Sequence, residues 1–493
     1  MGDLASSARA ARLWFWGLLA LAVGLRLAAF DVFAAHHPDE VLQYLEPAYR
    51  LLTGDGIVTW EYRYGMRGWL LPWLLVGPMA LGQAIGGSAL AGIVAARLAV
   101  MAVAMVAVVA AWTIGRRTSP RHGIVAMAVM AIWYEQIYWS AHLLTETLAT
   151  ALFLGAAALV DDKARRGAVI AGGALLALAV VLRFHYAVAA GVFLLLAVGL
   201  DWRRWGWLIA GALPVVAVSG LVDLAMGQWP FEWVWTNLRF NVVESRSARF
   251  GVQPRSFYVD AMWQQWRWFA PVLLLLAVAS GRRYRPLLIA AVFTIAVHSV
   301  IAHKEYRFIM LPSVTIVMLA GIGSVQALAW IEARRGRAVA AAGATVLLIG
   351  LWAGTSAWLG RGNPLDRGFG ERFAGPALSE VAGRDARVCG LGIMAQEYWQ
   401  LSRAYVGRPL PIFLLANTPP PVTRLVPPGR AIESINAVIA PPGSEAVLAG
   451  FAAGPCRGEG RFKRCLYRRP GLCVATPEAD RIEVQRYLTR IDM

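Results

Sequence analysis

The apolar run 13–33, LWFWGLLALAVGLRLAAFDVF, is followed almost at once by the polar stretch His36-His37-Pro38-Asp39-Glu40. A run of this length crosses a bilayer as an α-helix, which needs roughly 17–25 residues. Histidines and carboxylates are costly at the edge of a membrane unless they meet water or a polar ligand. The two stretches together predict a membrane span that opens into a polar loop, and we expect the functional site in that loop.

The composition of the whole chain repeats this pattern. It has 493 residues, of which 58% are hydrophobic and only 16% are charged, with a mean hydropathy of +0.53. A soluble protein of this length carries more charge. Further apolar runs of spanning length recur up to residue 360, which predicts an all-α polytopic membrane protein. The first run follows Arg9 and Arg12 and lacks a small-residue cleavage site, so we expect it to be retained.

The net charge of +17 comes mainly from arginine, since only three of the 47 basic residues are lysines. Basic clusters lie in short turns between apolar runs: Arg116-Arg117, Lys163 to Arg166, Arg203-Arg204, Arg282-Arg283-Arg285 and Arg334-Arg335. This is the positive-inside pattern, which orients membrane proteins. The clusters therefore indicate topology and argue against a nucleic-acid partner.

Placing the basic turns in the cytoplasm predicts about 11 crossings, with the N-terminus inside and the C-terminus outside. The predicted spans are 13–33, 89–112, 123–138, 143–160, 168–183, 186–200, 206–226, 266–280, 286–302, 308–331 and 338–358. The run 68–85 is also hydrophobic enough to span. We expect it to be re-entrant or to lie on the membrane surface, and two short crossings that share this region are the alternative.

The sequence after residue 360 differs from the part before it. It contains short β-like stretches such as 387–393 and 435–440, which predict a small α/β domain. All four cysteines lie here: Cys389, Cys456, Cys465 and Cys473. On the outer side of a membrane disulfides persist, so we expect one or two bridges, at least one of them among the last three cysteines, with the connectivity left open. The spacing fits no common zinc pattern.

The predicted organisation is therefore a transmembrane catalytic domain, 1–360, followed by a soluble extracytoplasmic domain, 361–493. The catalytic domain would carry outer loops at 34–67 and 227–265. The second loop is rich in tryptophan, which indicates either an aromatic belt at the membrane interface or a surface that stacks sugars or lipid. Arginines in the same loop indicate an anionic partner.

Residues 38–53 read as a short amphipathic helix that Gly54 ends. In one interpretation Pro38 opens this helix, and Asp39 and Glu40 favour its positive end. In the other, the helix lies on the outer membrane face and Asp39 points into a cavity as a general base. The residues alone leave both interpretations open.

The second polar stretch is His303-Lys304-Glu305-Tyr306-Arg307-Phe308, which joins two spans on the same outer face. Lysine and arginine placed side by side suit a phosphate, because arginine offers a planar fork and lysine a point charge. The alternative is a set of basic side chains that reach from a helix end to the interface, with Glu305 neutralising a neighbour.

Both stretches resemble a known family. His37-Pro38-Asp39-Glu40, Leu45-Glu46, Gly54-x-Gly56-x-x-Thr59-Trp60-Glu61-Tyr62 and Arg67 resemble the start of the GPI mannosyltransferase and Alg9-like mannosyltransferase family, and His303-Lys304-Glu305-x-Arg307-Phe308 resembles its later loop motif. Tyr306 and Gly68 depart from the residues usual in the family, where an acid and a serine are common. The arginine-rich and alanine-rich composition indicates a bacterial member.

The resemblance implies a GT-C fold, a lipid-phosphate sugar as donor, a glycolipid or glycan acceptor, and an active site on the non-cytoplasmic face. Asp39 maps to the catalytic base, with Glu40 beside it. The donor phosphate would be held by Lys304, Arg307 and His303. Substrate contacts would come from His37, Glu46, Trp60, Glu61, Tyr62, Arg67 and Glu305. We expect no cofactor and no metal, and a location in the bacterial inner membrane with a periplasmic active site.

Two other classes of function remain. A transporter or flippase of a lipid-linked polar substrate would place its polar groups near the middle of the membrane, often on broken helices in internal repeats. This chain instead gathers them in outer loops. A structural or assembly protein would use the outer domain as its interaction module.

Overall fold

The computed structural model describes residues 2–161, 164–335, 341–362, 374–393, 402–415, 429–460 and 463–490. Lys163 of one predicted basic turn lies outside these ranges. By internal packing the chain forms two compact units, Met1–Phe30 with Val100–Pro364 and Asp31–Ala99 with Leu365–Met493. We call them the helical unit and the mixed unit. The predicted boundary at residue 360 separates a transmembrane catalytic domain from an extracytoplasmic domain. This division stays a prediction.

The helical unit consists of helices joined by short turns. They are α1 (Gly2–Ala28), α6 (Pro120–Ile132), α7 (Tyr134–Ser140), α8 (Thr145–Leu159), α9 (Arg166–Leu182), α10 (Ala187–Val198), α11 (Trp202–Ala225), α12 (Glu232–Leu238), α13 (Phe257–Trp266), α14 (Phe269–Ala279), α15 (Arg285–Val300), α16 (Met310–Arg335) and α17 (Ala341–Gly360). A 3₁₀ turn, Tyr306–Ile309, precedes α16. Helix α5 (Ala89–Arg116) runs across the boundary between the units.

Helices α9 and α11 pack backbone to backbone through glycines. A Cβ atom on Gly173 would lie 2.2 Å from the carbonyl oxygen of Leu208, and one on Gly211 would lie 1.9 Å from that of Ile170. No side chain fits at these distances, so only glycine allows this approach. Contact through small residues is typical of helices that associate within a membrane.

In the described part of the chain, five helices are long and apolar enough to cross a membrane: Arg9–Ala28, Ala89–Arg116, Trp202–Ala225, Tyr306–Arg334 and Gly343–Gly360. The pair Tyr134–Ser140 and Thr145–Leu159, bent by 116°, makes a sixth when it is counted as one broken span. A helix lies at every predicted span, which confirms the all-α polytopic architecture. The prediction of about 11 crossings stays a prediction, because several of these helices are shorter than a bilayer requires.

Helix α16 lies in the core of the helical unit. In the 18-residue apolar stretch that makes this helix long enough to span a membrane, 94% of the residues are buried, against 17% in the corresponding stretch of α1. The turn that carries Arg307 leads directly into this buried helix. The residues of that turn are therefore attached to a deeply buried helix of the unit.

The mixed unit begins with the predicted helix 38–53, which is confirmed. It consists of a first helical turn at residues 38–39, a π-helical segment Glu40–Leu45 and α2 (Glu46–Thr53), and Gly54 ends it at φ 79°. The short helix α3 (Trp60–Arg63) and α4 (Leu70–Gly86) follow. The run 68–85, for which the sequence left two interpretations open, thus forms helix α4.

The remainder of the mixed unit is a five-stranded sheet with short helices, as the sequence predicted. The strands are β1 (Leu391–Ile393), β2 (Ile412–Leu414), β3 (Ala437–Ala440), β4 (Ala452–Arg457) and β5 (Arg464–Arg468), in the order β2-β1-β3-β5-β4. β1 pairs in parallel with β2 and β3, whereas β5 pairs antiparallel with β3 and β4. The helices are α18 (Ala374–Arg384), α19 (Arg403–Val406), α20 (Pro477–Ile482) and α21 (Val484–Arg490). We call β1–β5 with α18–α21 the sheet module.

Two disulfides join the cysteines of the sheet module, Cys389 to Cys473 and Cys456 to Cys465. The second bridge links directly paired residues of β4 and β5. It confirms the expectation of a bridge among the last three cysteines. The sequence could not supply the connectivity, because the pairing depends on strand register.

Candidate active site

The first predicted motif forms a connected group of side chains in the mixed unit. We call His37, Asp39, Gln43, Glu61 and Arg67 the carboxylate cluster. The amide nitrogen of Gln43 donates to Asp39 Oδ1 at 2.8 Å and also to Glu61 Oε1. His37 Nδ1 lies 3.0 Å from Asp39 Oδ1, and Arg67 donates to Glu61 at 2.9 Å. One helical side chain thus bridges the two carboxylates.

Asp39 and Glu40 differ in what their side chains do. Asp39 makes no capping hydrogen bond to the helix that follows it, and its side chain is 15% exposed. Glu40 is buried and accepts hydrogen bonds from the backbone nitrogens of His36 and His37. The first interpretation, in which the acids stabilise the start of the helix, therefore fits Glu40, whose carboxylate binds backbone nitrogens just before its own helix. Asp39 is the more exposed of the two acids.

Glu61 lies deeper than Asp39. Burial raises the pKa of its carboxyl, the Arg67 guanidinium opposes this shift, and the nearby Asp39 adds to it. The Thr59 hydroxyl donates to the other oxygen of Glu61 at 3.3 Å. A carboxyl with a raised pKa tends to hold its proton, so Glu61 is suited to orienting Gln43 and Asp39 rather than to taking up a proton itself.

Among the aromatic residues of the first motif, Tyr62 packs against the helix that carries Gln43. Tyr62 is buried, and its hydroxyl donates to the backbone oxygen of Gln43 at 2.6 Å. Its ring lies 4.5 Å from that of Trp69. Trp60 is half-buried. Tyr62 thus fixes the helix at the residue that bridges the carboxylates, whereas the predicted substrate contacts of Trp60 and Tyr62 stay predictions.

Glu46 is fully buried, unlike a side chain that meets substrate from solvent. Its carboxylate accepts hydrogen bonds from Ile57 N at 2.8 Å, Ser402 Oγ at 2.6 Å and Ala404 N at 2.9 Å. These partners belong to the first loop and to the sheet module. The structure therefore places Glu46 in the packing between these two parts of the mixed unit.

The second predicted motif forms a separate group in the helical unit. We call Glu146, Arg183, His303, Glu305 and Arg307 the guanidinium cluster. Arg307 donates to Glu305 at 2.6 Å and lies 3.6 Å from Glu146, which Arg183 approaches to 3.2 Å. His303 Nε2 lies 3.0 Å from Glu305. The hydrogen bond to Glu305 raises the pKa of the His303 imidazole.

Lys304 does not reach out to the interface. It is only 4% exposed, and its ammonium donates to the backbone oxygens of Gln253, at 3.0 Å, and Ile301. This geometry differs from that of a snorkelling side chain, which keeps its charge in water. Burial, together with the positive charge of Arg255, lowers the pKa of Lys304. Lys304 therefore ties the loop after α12 to the turn that carries the second motif.

Glu135, Glu146 and Arg183 lie near the ends of predicted spans, outside both polar motifs. Glu135 accepts hydrogen bonds from the indole nitrogens of Trp133, at 2.8 Å, and Trp266, at 2.9 Å, and from the Tyr306 hydroxyl. Tyr306, the departure from the family pattern, thus binds a buried carboxylate. The available signal was that ionisable residues near the ends of apolar spans are functional candidates.

The tryptophans of loop 227–265 and of the three residues after it divide into two groups. The exposed ones are Trp229, Trp235, Trp263 and Trp268. Trp266 is fully buried and binds Glu135, and Trp233 is buried and donates to Asp223 at 3.2 Å. The exposed group fits an interfacial belt, whereas the buried pair belongs to the core.

In the residues that the structure describes, no three His, Cys, Asp or Glu side chains converge as a metal site would need.

The arrangement of helices and sheet matches a solved structure over nearly its whole length. This structure is the crystal structure of ArnT from Cupriavidus metallidurans bound to undecaprenyl phosphate. The superposition includes 94% of this chain and 99% of the ArnT chain, with a TM-score of 0.62 and 14% sequence identity. At that identity the likeness concerns the fold alone. The protein therefore has the fold of the GT-C glycosyltransferases.

The sequence matches the Alg9-like mannosyltransferase family over residues 14–356, and the chain belongs to that family. GPI alpha-1,2-mannosyltransferase 3 of Danio rerio is 27% identical over 325 residues, which make up 61% of this chain and 57% of the relative. The Homo sapiens protein of the same name is 24% identical over 316 residues, 59% of this chain and 54% of the relative. This chain thus aligns with little more than half the length of these relatives.

Proposed function

We propose that this protein transfers a sugar, mannose in view of its family, from a polyprenyl-phosphate donor to a lipid-linked or glycan acceptor, with Asp39 as the general base. The observation that carries the proposal is the geometry of Asp39. It is a partly exposed carboxylate at the start of a helix, oriented by His37 and Gln43 and braced by Glu61. Membership of the family and the ArnT fold support the reaction class.

In the proposed reaction Asp39 accepts the proton of the acceptor hydroxyl while that oxygen attacks the anomeric carbon. The bond from this carbon to the lipid phosphate breaks on the opposite face, and the phosphate leaves with the bonding electrons. A placed base contributes about 10²–10⁴-fold to such a step. Gln43 and His37 hold the carboxylate, and the buried Glu61 supplies an acceptor that fixes Gln43.

The leaving phosphate would meet the guanidinium cluster. Arg307 and Arg183 bring two positive charges to the same oxygen of Glu146, and His303 adds a donor whose charged form Glu305 favours. Fixed cations of this kind stabilise charge that develops on a leaving oxygen. Lys304 holds the loop in place and adds to the positive field. One negative charge on a lipid phosphodiester does not demand a divalent metal.

The proposal sets both clusters on the non-cytoplasmic side of a bacterial inner membrane, together with the sheet module. The basic turns between spans support this orientation. The two disulfides support it as well, because such bridges persist outside the cytoplasm. A reporter fused after residue 493 tests it, and a cytoplasmic C-terminus would contradict it.

Asp39→Asn in the purified protein tests the reaction, with Asp31→Asn as the matched control. Asp31 lies in the same segment and accepts a hydrogen bond from Phe33 N at 2.9 Å. We expect Asp39→Asn to bind the polyprenyl-phosphate sugar while sugar transfer falls by at least about 10²-fold. Transfer near the wild-type rate would refute the assignment. A transporter or flippase would move the lipid across vesicles without forming a new glycosidic bond.

A further inference from the structure

The sheet module holds the loop that carries Glu61. The side-chain amide of Gln485 accepts a hydrogen bond from Val58 N at 2.8 Å and donates to Val58 O at 3.2 Å. These two bonds satisfy both backbone groups of Val58, as a neighbouring strand would do. The Arg63 side chain also donates to the backbone oxygen of Leu488. Helix α21 therefore holds the chain on either side of Thr59 to Tyr62.

The helix that carries Asp39 is joined to the same module. Arg403 of α19 forms ion pairs with Asp55 and, at 2.7 Å, with Glu483. Beside it, Ser402 Oγ and Ala404 N donate to the buried Glu46 of α2. Because Arg403 is only 18% exposed, its two ion pairs are better shielded from solvent than surface pairs are.

An apolar contact lies between these two polar attachments. Ile57 of the first loop is fully buried in the core on one side of the sheet, together with Leu378, Ile393 and Val484. Leu42, one residue before Gln43, packs against the same core. The first loop thus forms part of the hydrophobic core of the module and is not simply laid against it.

These attachments bear on the distance between two carboxylates. Asp39 belongs to helix 38–53 and Glu61 to the segment after Val58, and the loop between them turns at Gly54. Gln43 can bridge the two acids only while the helix and the segment keep their separation. Arg403 acts on the helix side of this loop and Gln485 on the segment side.

We propose that the sheet module positions the carboxylate cluster for the reaction, with Arg403 and Gln485 as positioning residues. The proposal rests on the proposed function, in which Asp39 is the base. Neither residue touches the reacting groups in this proposal. Gln485 holds the backbone of Val58 and Arg403 holds the side chain of Asp55, and displacement of either residue would move Asp39 relative to Glu61.

The experiment compares Gln485→Ala and Arg403→Gln with the control Arg430→Gln in the purified full-length protein. Arg430 lies in the 3₁₀ segment Gly429–Ser434 just before β3, is 74% exposed and pairs only loosely, at 3.5 Å, with Glu433. We expect the first two variants to lower kcat by about 10–100-fold, because misplacement by about 1 Å can cost that much. The donor KM should change by less than about threefold, since donor binding does not depend on the base.

Hydrogen–deuterium exchange supplies a readout that does not depend on turnover. Peptides covering 54–63 should exchange faster in both variants and stay protected in Arg430→Gln. Gln485→Glu keeps an acceptor for Val58 N and loses the donor to Val58 O, so both its kcat and its protection should fall between those of the wild type and Gln485→Ala.

Two results would overturn the inference. Unchanged exchange at 54–63 in both variants would show that the module does not hold the loop, and it would leave the proposed function standing. Faster exchange with unchanged kcat would show a holding role without any bearing on the reaction. A wild-type protein that transfers no sugar from any polyprenyl-phosphate sugar would instead refute the proposed function, while the exchange comparison would still decide whether the module holds the loop.

Discussion

The carboxylate cluster and the guanidinium cluster use the same residue types in opposite ways. In the first, Asp39 is 15% exposed and Arg67 is 29% exposed, and the two acids share one amide donor. In the second, Arg307 is 4% exposed and Glu146 is fully buried. A group that exchanges protons with a substrate needs an open side, whereas cations that receive a phosphate are best fixed in advance. Asp39 and Arg67 are thus more open to solvent than Arg307 and Glu146.

The strongest test of this contrast compares the loss of an arginine from each cluster. Arg307→Ala removes a guanidinium that is only 4% exposed and that pairs with Glu305 and the fully buried Glu146, and breaking a buried ion pair costs about 3–5 kcal/mol. Arg67→Ala should cost less, about 1 kcal/mol, because the Arg67 side chain is 29% exposed against 4% for Arg307. Equilibrium unfolding in detergent micelles measures both. Equal losses of unfolding free energy would show that the difference in burial between the two arginines does not affect stability.

The second test separates the two acids of the carboxylate cluster. Glu61→Gln mimics the protonated side chain that burial favours and keeps an oxygen that can accept from Gln43. We therefore expect sugar transfer to stay within about tenfold of wild type, far above that of Asp39→Asn. Kinetics of the two variants under one donor concentration series decide the matter. A larger loss in Glu61→Gln than in Asp39→Asn would exchange their roles.

The pH dependence of stability sharpens the same point. The folded protein raises the pKa of Glu61 above its ordinary value of 4.5, so its stabilising effect is fully present below pH 4.5 and is lost as the pH rises through the raised pKa. In Glu61→Gln this part of the pH dependence should disappear. Unfolding free energies measured at several pH values compare the two proteins, and the same pH dependence in both would show that folding does not shift the pKa of Glu61.

The smallest expected effect concerns His303. Glu305 raises the pKa of His303 above 6.5, so the contribution of this pair is complete below pH 6.5 and is lost as the pH rises through the raised value. Peptides covering 303–307 should therefore exchange hydrogen faster at high pH. In His303→Asn their protection should no longer change with pH beyond the intrinsic exchange rate. Wild-type exchange that shows no such change would mean that the imidazole does not titrate against Glu305.

Much of the architecture could be predicted from local sequence. A helix lies at each predicted span, helix 38–53 ends at Gly54 as expected, and the region after residue 360 contains a small sheet. Each of these features depends on hydropathy or turn residues within one short segment. The candidate site was only partly accessible in this way. The family resemblance pointed to Asp39, but the residues alone left open whether the acids stabilise the helix start or face a cavity, because that depends on which groups each carboxylate meets.

The sequence by itself therefore determined that this chain is a polytopic membrane protein of the Alg9-like mannosyltransferase family, with two polar motifs in order. Only the tertiary structure decided how these motifs are completed. It brought Glu146 and Arg183 to Arg307, and it attached Gln485 to Val58. The physical reason is that hydropathy acts along a segment and can be read locally. Hydrogen bonds and ion pairs between segments far apart in the chain form only where packed helices and strands bring those side chains within about 3 Å of each other.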